Sequence, residues 1–108
     1  MYELLQTKEF EDWLDKQPTK HRLQIRARLL KIAQHSYFGD TKLLDVKTNL
    51  WELKWAIGWR VYYTYIEATK ILLLLGGNKN GQNKDINEAK KILKNYTETS
   101  SQKGSKSF

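Results

Sequence analysis

The first half of the chain has the hydrophobic spacing of one short strand followed by two helices. The segment YELLQ at 2–6 reads as a strand. Thr7 is a suitable N-cap for the helix that follows, because its hydroxyl can accept a hydrogen bond from an otherwise unpaired amide of the first turn. Positions spaced at i, i+3, i+4 and i+7 predict an amphipathic helix that ends before Pro18: Phe10, Trp13, Leu14 and Gln17.

A second helix is predicted over 19–34, and it carries apolar residues on two sides. One stripe contains Leu23, Ala27 and Leu30, and the other contains Ile25, Leu29 and Ile32. A helix with two apolar sides needs a cover on each of them. We therefore expect the sheet on one side and either the first helix or a partner protein on the other.

The second half of the chain alternates between apolar and polar positions as β-strands do. After a break at 37–42, the segment LLDVK at 43–47 is predicted as a strand or extended arm. The stretch LWELKWAIGWRVYYTYI at 50–66 places two alternating aromatic runs on either side of Gly58, which indicates a hairpin with a loop at 56–58. The register then pairs Trp51 with Tyr63, Leu53 with Val61 and Trp55 with Trp59 on an apolar face, and Glu52 with Tyr62 and Lys54 with Arg60 on the other.

The continuous apolar run KILLLLGG at 70–77 predicts a central strand that is covered on both faces. The segment after it is rich in Gly and Asn, so its backbone can approach a ligand closely. Asp85 and Glu88 resemble a capping box, which predicts that the last helix begins there. Anions are favoured between a strand end and a helix N-terminus, and this is where three candidate residues lie: Lys79, Gln82 and Lys84.

The order of elements predicts the fold class. One strand, two helices, about four strands and a final helix favour an α+β fold with an antiparallel or mixed sheet. Residues 1–96 are predicted to form a single domain. The remainder, 97–108, is polar and has no periodic stripe, so we expect a flexible or partner-dependent tail.

Composition narrows the function classes. With 19 Lys and Arg against 12 Asp and Glu, the net charge of +7 favours a polyanionic partner, nucleic acid ahead of a membrane surface. The chain has no cysteine, which excludes disulfides and thiolate sites and fits a cytoplasmic location. The longest aliphatic run, 71–75, is far shorter than the roughly 20 residues that span a bilayer.

The pairing of Lys54 with Arg60 is the sharpest local signal. Two cations directly opposite each other on adjacent strands, with Cβ atoms about 5 Å apart, repel unless an anion lies between them. The hairpin alone leaves two interpretations open: a bound anion, or two solvated cations balanced by Glu52.

Four segments together resemble the RelE/ParE superfamily of bacterial toxins, and within it the HigB-like addiction module killer proteins of type II toxin-antitoxin systems. That group shows F-G-D-x-K, E-L-[KR], G-x-R-[VL]-Y-[YF] and L-L-x-G-G-[DN]-K-x-x-Q-x-x-D-I. The corresponding segments here are FGDTK at 38–42, ELK at 52–54, GWRVYY at 58–63 and LLGGNKNGQNKDI at 74–86. The resemblance covers roughly residues 2–96.

The resemblance implies a microbial ribonuclease-like fold, in which two N-terminal helices pack on a twisted, mainly antiparallel sheet of about four to five strands, with a C-terminal helix. It implies a toxin that cleaves mRNA on the ribosome without a metal or other cofactor. The implied partners are a cognate HigA-like antitoxin of the helix-turn-helix type, mRNA, ribosomal RNA and, only through the antitoxin, operator DNA. The alternatives are a ParE-like toxin that binds DNA gyrase, and an inactive toxin-like domain that acts as co-repressor.

The resemblance also implies roles for individual residues. Lys54 matches the strand lysine proposed as the base in RelE-like toxins, Arg60 matches the phosphate-binding arginine, and Lys79 matches the basic residue after the glycine turn. Glu52 departs from the pattern, because relatives often carry a second basic residue there. The general acid is unassigned, with Lys79, Lys84 and Tyr62 as candidates. RNA contacts are expected from Lys42, Tyr62, Gln82 and Lys84.

Overall fold

The computed structural model describes residues 1–98 and 105–108, and within them the chain forms six strands and three helices. Strand β1 (Glu3–Thr7) leads into helices α1 (Lys8–Asp15) and α2 (Thr19–His35). Four strands follow: β2 (Thr41–Asp45), β3 (Leu50–Lys54), β4 (Trp59–Glu67) and β5 (Lys70–Asn78). A 3-10 turn (Lys79–Gly81) precedes helix α3 (Gln82–Glu98), and strand β6 (Ser105–Ser107) comes last.

All six strands belong to one sheet with the order β2-β3-β4-β5-β1-β6. Every neighbouring pair is antiparallel except β1 and β5, which run parallel. The predicted α+β fold with a mainly antiparallel sheet is therefore confirmed, and the described residues contain one strand more than the four to five expected.

The additional strand is β6, where a flexible tail was predicted. Ser107 pairs with Leu5 of β1, which makes β6 the edge strand, and the amide of Phe108 donates to the carbonyl of Leu4 at 3.0 Å. The structure places 97–98 in α3 and 105–107 in β6, and the flexibility of the tail stays a prediction. Residues 99–104 lie outside the described residues.

Helices cover the sheet on both faces. Helices α1 and α2 pack on one face, over a core that includes Phe10, Leu29, Val61, Tyr63 and Leu73. Helix α3 packs on the other face, over Leu50, Tyr62, Leu72 and Leu74. The apolar run in β5 supplies side chains to both cores, and β5 lies inside the sheet, as the continuous hydrophobic pattern predicted.

Helix α2 has a cover on one side only. Ile25, Leu29 and Ile32 are buried, whereas Leu23 is 62% and Leu30 50% exposed. The expected cover over the second stripe is therefore not provided by the described part of the chain.

The predicted hairpin register is confirmed. Lys54 pairs with Arg60, Leu53 with Val61 and Glu52 with Tyr62. Gly58 has a φ of +117°, which an L-residue rarely adopts, so this turn requires glycine.

Helix α3 begins at Gln82, three residues before the predicted capping box, so that prediction is wrong. The side chain of Asn78 caps the preceding 3-10 turn by accepting from the amide of Asn80 at 2.9 Å. The helix can therefore start earlier, and Asp85 falls inside its first turn. Within the described ranges, no helix has the length and hydrophobicity that crossing a membrane would require.

Candidate active site

One end of the sheet brings together the three residues expected to carry out catalysis. Lys54 is the last residue of β3, and Arg60 lies directly opposite it near the start of β4. Lys79 follows β5, and its amide donates to the carbonyl of Gly58 at 2.8 Å. Its aliphatic chain lies 3.6 Å from where a Cβ on Gly58 would be. Lys79 therefore lies against the turn that joins the strands of Lys54 and Arg60.

A buried carboxylate lies within this cationic cluster. Glu52 is 0% exposed. Its Oε2 lies 3.8 Å from Nε of Arg60, so the two side chains form an ion pair, but this nitrogen makes no hydrogen bond of ordinary geometry to the described residues. The same oxygen accepts from Nε2 of Gln82 at 2.6 Å. The chain itself thus supplies an anion beside the cross-strand cations, and this anion is not solvated, because the start of α3 covers Glu52.

Arg60 is held in place through one of its two terminal nitrogens. Nη1 donates to the carbonyls of Trp59 at 3.0 Å and Trp55 at 3.3 Å, so the guanidinium also closes the hairpin turn. Nη2 makes no hydrogen bond to the described residues. The geometry leaves this nitrogen available for an anion that approaches from outside.

Three buried polar atoms of this cluster make no hydrogen bond of ordinary geometry to the described residues, although the Tyr62 hydroxyl lies close enough to the Glu52 carboxylate to interact with it. They are Oε1 of Glu52, Nε of Arg60 and the hydroxyl of Tyr62. Buried polar groups are paired in the great majority of cases, and unpaired ones cost free energy. Three such atoms in one cluster mark this end of the sheet as a functional-site candidate.

Tyr62 is fully buried under α3. Burial raises the pKa of its hydroxyl well above the ordinary value, and the nearby Glu52 carboxylate raises it further, so the side chain stays neutral. The predicted direct contact of Tyr62 with RNA does not fit a side chain with no exposed surface.

Two consecutive glycines let helices approach the sheet from both faces. A Cβ on Gly76 would lie 2.2 Å from the Trp13 ring of α1, and a Cβ on Gly77 would lie 2.0 Å from Oδ2 of Asp85 in α3. Because Gly77 is paired with Arg60, the first turn of α3 lies next to the cationic cluster. Burial raises the pKa of Asp85, and Lys84 opposes this shift.

The predicted RNA-binding residues are arranged around this cluster. Lys42 pairs with Glu52 across the β2–β3 ladder and is exposed on the same face. Lys79 and Lys84 are exposed, and Gln82 is half-buried because its amide is bound to Glu52.

Sequence reasoning missed Arg28 of α2, which positions Lys54 from the opposite side of the sheet. Its guanidinium donates to the carbonyls of Lys54, Phe38 and Asp40, and it lies 4.3 Å from the ring centre of Trp55. Burial lowers the pKa of Arg28. A single arginine in an amphipathic helix gives no signal of this role; only the neighbouring F-G-D motif, which contributes two of the carbonyls, could have suggested it.

Among residues 1–98 and 105–108, no group of three or more His, Cys, Asp or Glu side chains is arranged so that it could bind a metal ion.

A family model described as Phage derived protein Gp49-like (DUF891) matches residues 12–97. The chain belongs to this family. It is a RelE/HigB-like toxin family, so the predicted membership of the RelE/ParE superfamily is confirmed.

This Gp49-like protein is also similar to a curated protein and to two solved structures. An uncharacterized protein of Haemophilus influenzae is 36% identical over 84 residues, which cover 75% of this chain and 82% of the relative. The isolated Escherichia coli RelE toxin has a TM-score of 0.61 at 15% identity, with 81% of this chain and 97% of RelE covered. The RelBE toxin-antitoxin complex matches with a TM-score of 0.59 at 18% identity, over 72% of this chain and 96% of the matched chain. At these identities the structures show the RelE-like fold.

Proposed function

We propose that this protein is the toxin of a type II toxin-antitoxin module and cleaves mRNA on the ribosome without a metal ion. The observation that carries the proposal is the cluster at one end of the sheet, where Lys54, Arg60 and Lys79 surround buried polar atoms that make no hydrogen bond of ordinary geometry to the described residues. A guanidinium nitrogen without a partner among the described residues, beside two lysines, suits a phosphate group, which supports an RNA substrate.

The reaction that fits this cluster is an internal phosphoryl transfer. The 2′-oxygen attacks the adjacent phosphorus and forms a cyclic phosphate, while the bond from phosphorus to the 5′-oxygen breaks. Lys54 takes the proton of the 2′-hydroxyl, and Arg60 and Lys79 stabilise the charge on the phosphorane. The 5′-oxygen leaves as a hydroxyl with a proton from an acid that is not assigned.

Glu52 and Gln82 act as positioning residues in this mechanism. Their hydrogen bond ties the start of α3 to β3, and the Glu52 carboxylate fixes the guanidinium of Arg60. Because Nη1 is bound to two carbonyls, Nη2 is the terminal nitrogen proposed to bind the phosphate. A charged donor held in advance contributes more to catalysis than one that must be ordered during the reaction.

The proposed partner is a cognate antitoxin of the helix-turn-helix, HigA-like type, encoded beside the toxin. The match to the RelBE complex supports a partner of this functional class. In this proposal the antitoxin neutralises the toxin in the cytoplasm, and the toxin contacts operator DNA only through the antitoxin.

Inducible expression in bacteria with Arg60→Ala tests the proposal. The parent protein is expected to arrest growth, and Arg60→Ala to abolish the arrest while the variant still co-purifies with the antitoxin. Arg26→Ala is the matched control, since Arg26 is exposed on α2, on the opposite face of the sheet, and growth arrest should persist. Arrest that survives both Lys54→Ala and Arg60→Ala would overturn the site and favour a gyrase-binding toxin.

A further inference from the structure

A cavity lies on the α3 side of the sheet, away from the candidate active site. Its volume is about 640 Å³, and it opens between the second half of α3 and the region where β3 starts and β4 ends. None of its lining residues belongs to the candidate active site. They are Lys47, Thr48, Asn49, Thr64, Tyr65, Ile66, Lys90, Leu93, Lys94 and Thr97.

The lining combines apolar and cationic groups. Ile66 and Leu93 belong to the core on this face, whereas Lys47, Lys90 and Lys94 contribute positive charge. The lining contains no carboxylate. Acidic groups are nearby, however: Asp45 interacts with Lys90, and Glu98 is 4.0 Å from Lys94.

A fixed turn forms one edge of the cavity. Oδ2 of Asp45 accepts hydrogen bonds from the amide and the hydroxyl of Thr48, and this lowers the pKa of Asp45. The carbonyl of Asn49 accepts from the Thr64 hydroxyl at 2.8 Å, which ties the turn to β4. Asp45 is therefore occupied by the turn, and the edge of the cavity is ordered before any ligand arrives.

We infer that this cavity is a second RNA subsite, which holds one nucleotide of a single strand with its phosphate on the lysines and its base against the apolar floor. The inference rests on the proposed function. Ligand pockets have volumes of about 300–1,000 Å³ with mostly apolar walls and a few polar groups. A cationic rim over an apolar floor complements a nucleotide, which has an anionic end and an aromatic end.

The position of the cavity fits a strand that also reaches the catalytic cluster. Gln82 binds Glu52 at the start of α3, and Lys90 and Lys94 lie eight and twelve residues farther along the same helix. At about 1.5 Å per residue, these separations are about 12 and 18 Å along the helix axis. Both sites lie on the face of the sheet that α3 covers. The subsite contributes ground-state binding, so its loss should raise KM and leave kcat unchanged.

The first measurement is fluorescence anisotropy with a fluorescein-labelled hexanucleotide RNA whose 2′-oxygens are methylated, so that it cannot be cleaved. Lys90→Ala/Lys94→Ala is expected to weaken binding about tenfold or more and to reduce the slope of log K against log salt by about 0.7, because a single strand contributes about 0.7 for each phosphate contact and the subsite holds one phosphate. The matched control is Lys20→Ala/Lys91→Ala, which removes the same charge from two exposed sites outside the cavity. Its affinity should stay within about twofold of the parent, on the scale expected for surface changes.

Two results would overturn the subsite. One is an equal loss in both double variants, which would mean that net charge alone attracts RNA. The other is unchanged RNA binding in Lys90→Ala/Lys94→Ala together with loss of co-purification with the antitoxin, which would make the occupant an acidic polypeptide. Failure of the proposed ribonuclease is distinguishable, because the methylated RNA reports binding without cleavage.

Discussion

At the scale of single residues, Glu52 determines the charge and geometry of the candidate site. Glu52 lies on the polar face of the hairpin. From the sequence alone, Lys54 and Arg60 on this face could have been solvated cations that Glu52 balances. The structure buries it completely, between Arg60 of β4 and Gln82 of α3. Burial could not be inferred from the pattern of β3, since the residue that covers Glu52 lies 30 positions later in the chain.

Glu52→Gln tests whether this carboxylate stabilises the protein. The substitution keeps the volume but leaves the guanidinium of Arg60 without its charged partner, and we expect the free energy of unfolding to fall by about 1–3 kcal/mol. Urea unfolding measures the change. The matched control is Glu67→Gln, since Glu67 is 67% exposed and its side-chain ion pair with Lys70 should contribute less than about 1 kcal/mol. Equal losses in the two variants would contradict the role of Glu52.

Asp85 provides a test in pH. Because burial raises its pKa above the ordinary 3.8, the folded state holds this proton more tightly than the unfolded chain does. The contribution of this group to stability is therefore present at low pH and is lost as the pH rises through its folded pKa.

Asparagine cannot ionise. The free energy of unfolding of Asp85→Asn, relative to that of the parent, should therefore increase as the pH rises from about one unit below 3.8 towards neutrality. Urea unfolding across that range measures the difference in free energy. A difference that stays constant, or shrinks with rising pH, would contradict the burial of this carboxylate.

At the scale of elements, the glycine pair at the end of β5 determines how closely α1 and α3 approach the sheet. The sequence predicted a strand that ends in a segment open to close approach. The structure shows that protein side chains use this space: Trp13 lies over Gly76 on one face and Asp85 over Gly77 on the other. This end of β5 therefore brings α3 to the candidate site.

Gly77→Ala should destabilise the protein by about 1–3 kcal/mol, because the new methyl group would overlap the Asp85 carboxylate. In the Asp85→Ala background the same change should cost less, with a coupling of about 0.5–3 kcal/mol between the two substitutions. Thermal or urea unfolding of all four proteins gives this coupling. Gly81→Ala is the control, since its Cβ would lie 3.4 Å from the same oxygen. Purely additive costs would contradict the packing of α3 on Gly77.

Some elements could be predicted and others could not, for physical reasons. The hairpin register follows from period-two alternation on both sides of Gly58, and it is confirmed at every pair that was predicted within the ladder. Strand β6 could not be found this way, because Ser-Lys-Ser has no apolar alternation and pairs through its backbone. The start of α3 was misplaced because Asn78 caps a turn that the Asp85 capping box did not reveal.

At the scale of the whole molecule, the fold has three layers, and the cationic cluster lies at one end of the middle layer, the sheet. The helical layers cover both faces of the sheet, and Lys54 and Arg60 lie at the end of the sheet next to the start of α3. The net charge of +7 fits a molecule that acts on RNA. The RelE-like fold does not decide the activity, since a fold can host more than one activity.

The most direct test of the ribonuclease is to add the purified protein to a translating bacterial extract and to map new RNA 5′ ends by primer extension. We expect cuts within translated codons with the parent and with Arg26→Ala, and none with Arg60→Ala, since loss of the phosphate-binding guanidinium should lower cleavage by about 10²-fold or more. If the folded parent arrests growth but leaves every transcript intact, the ribonuclease assignment is wrong.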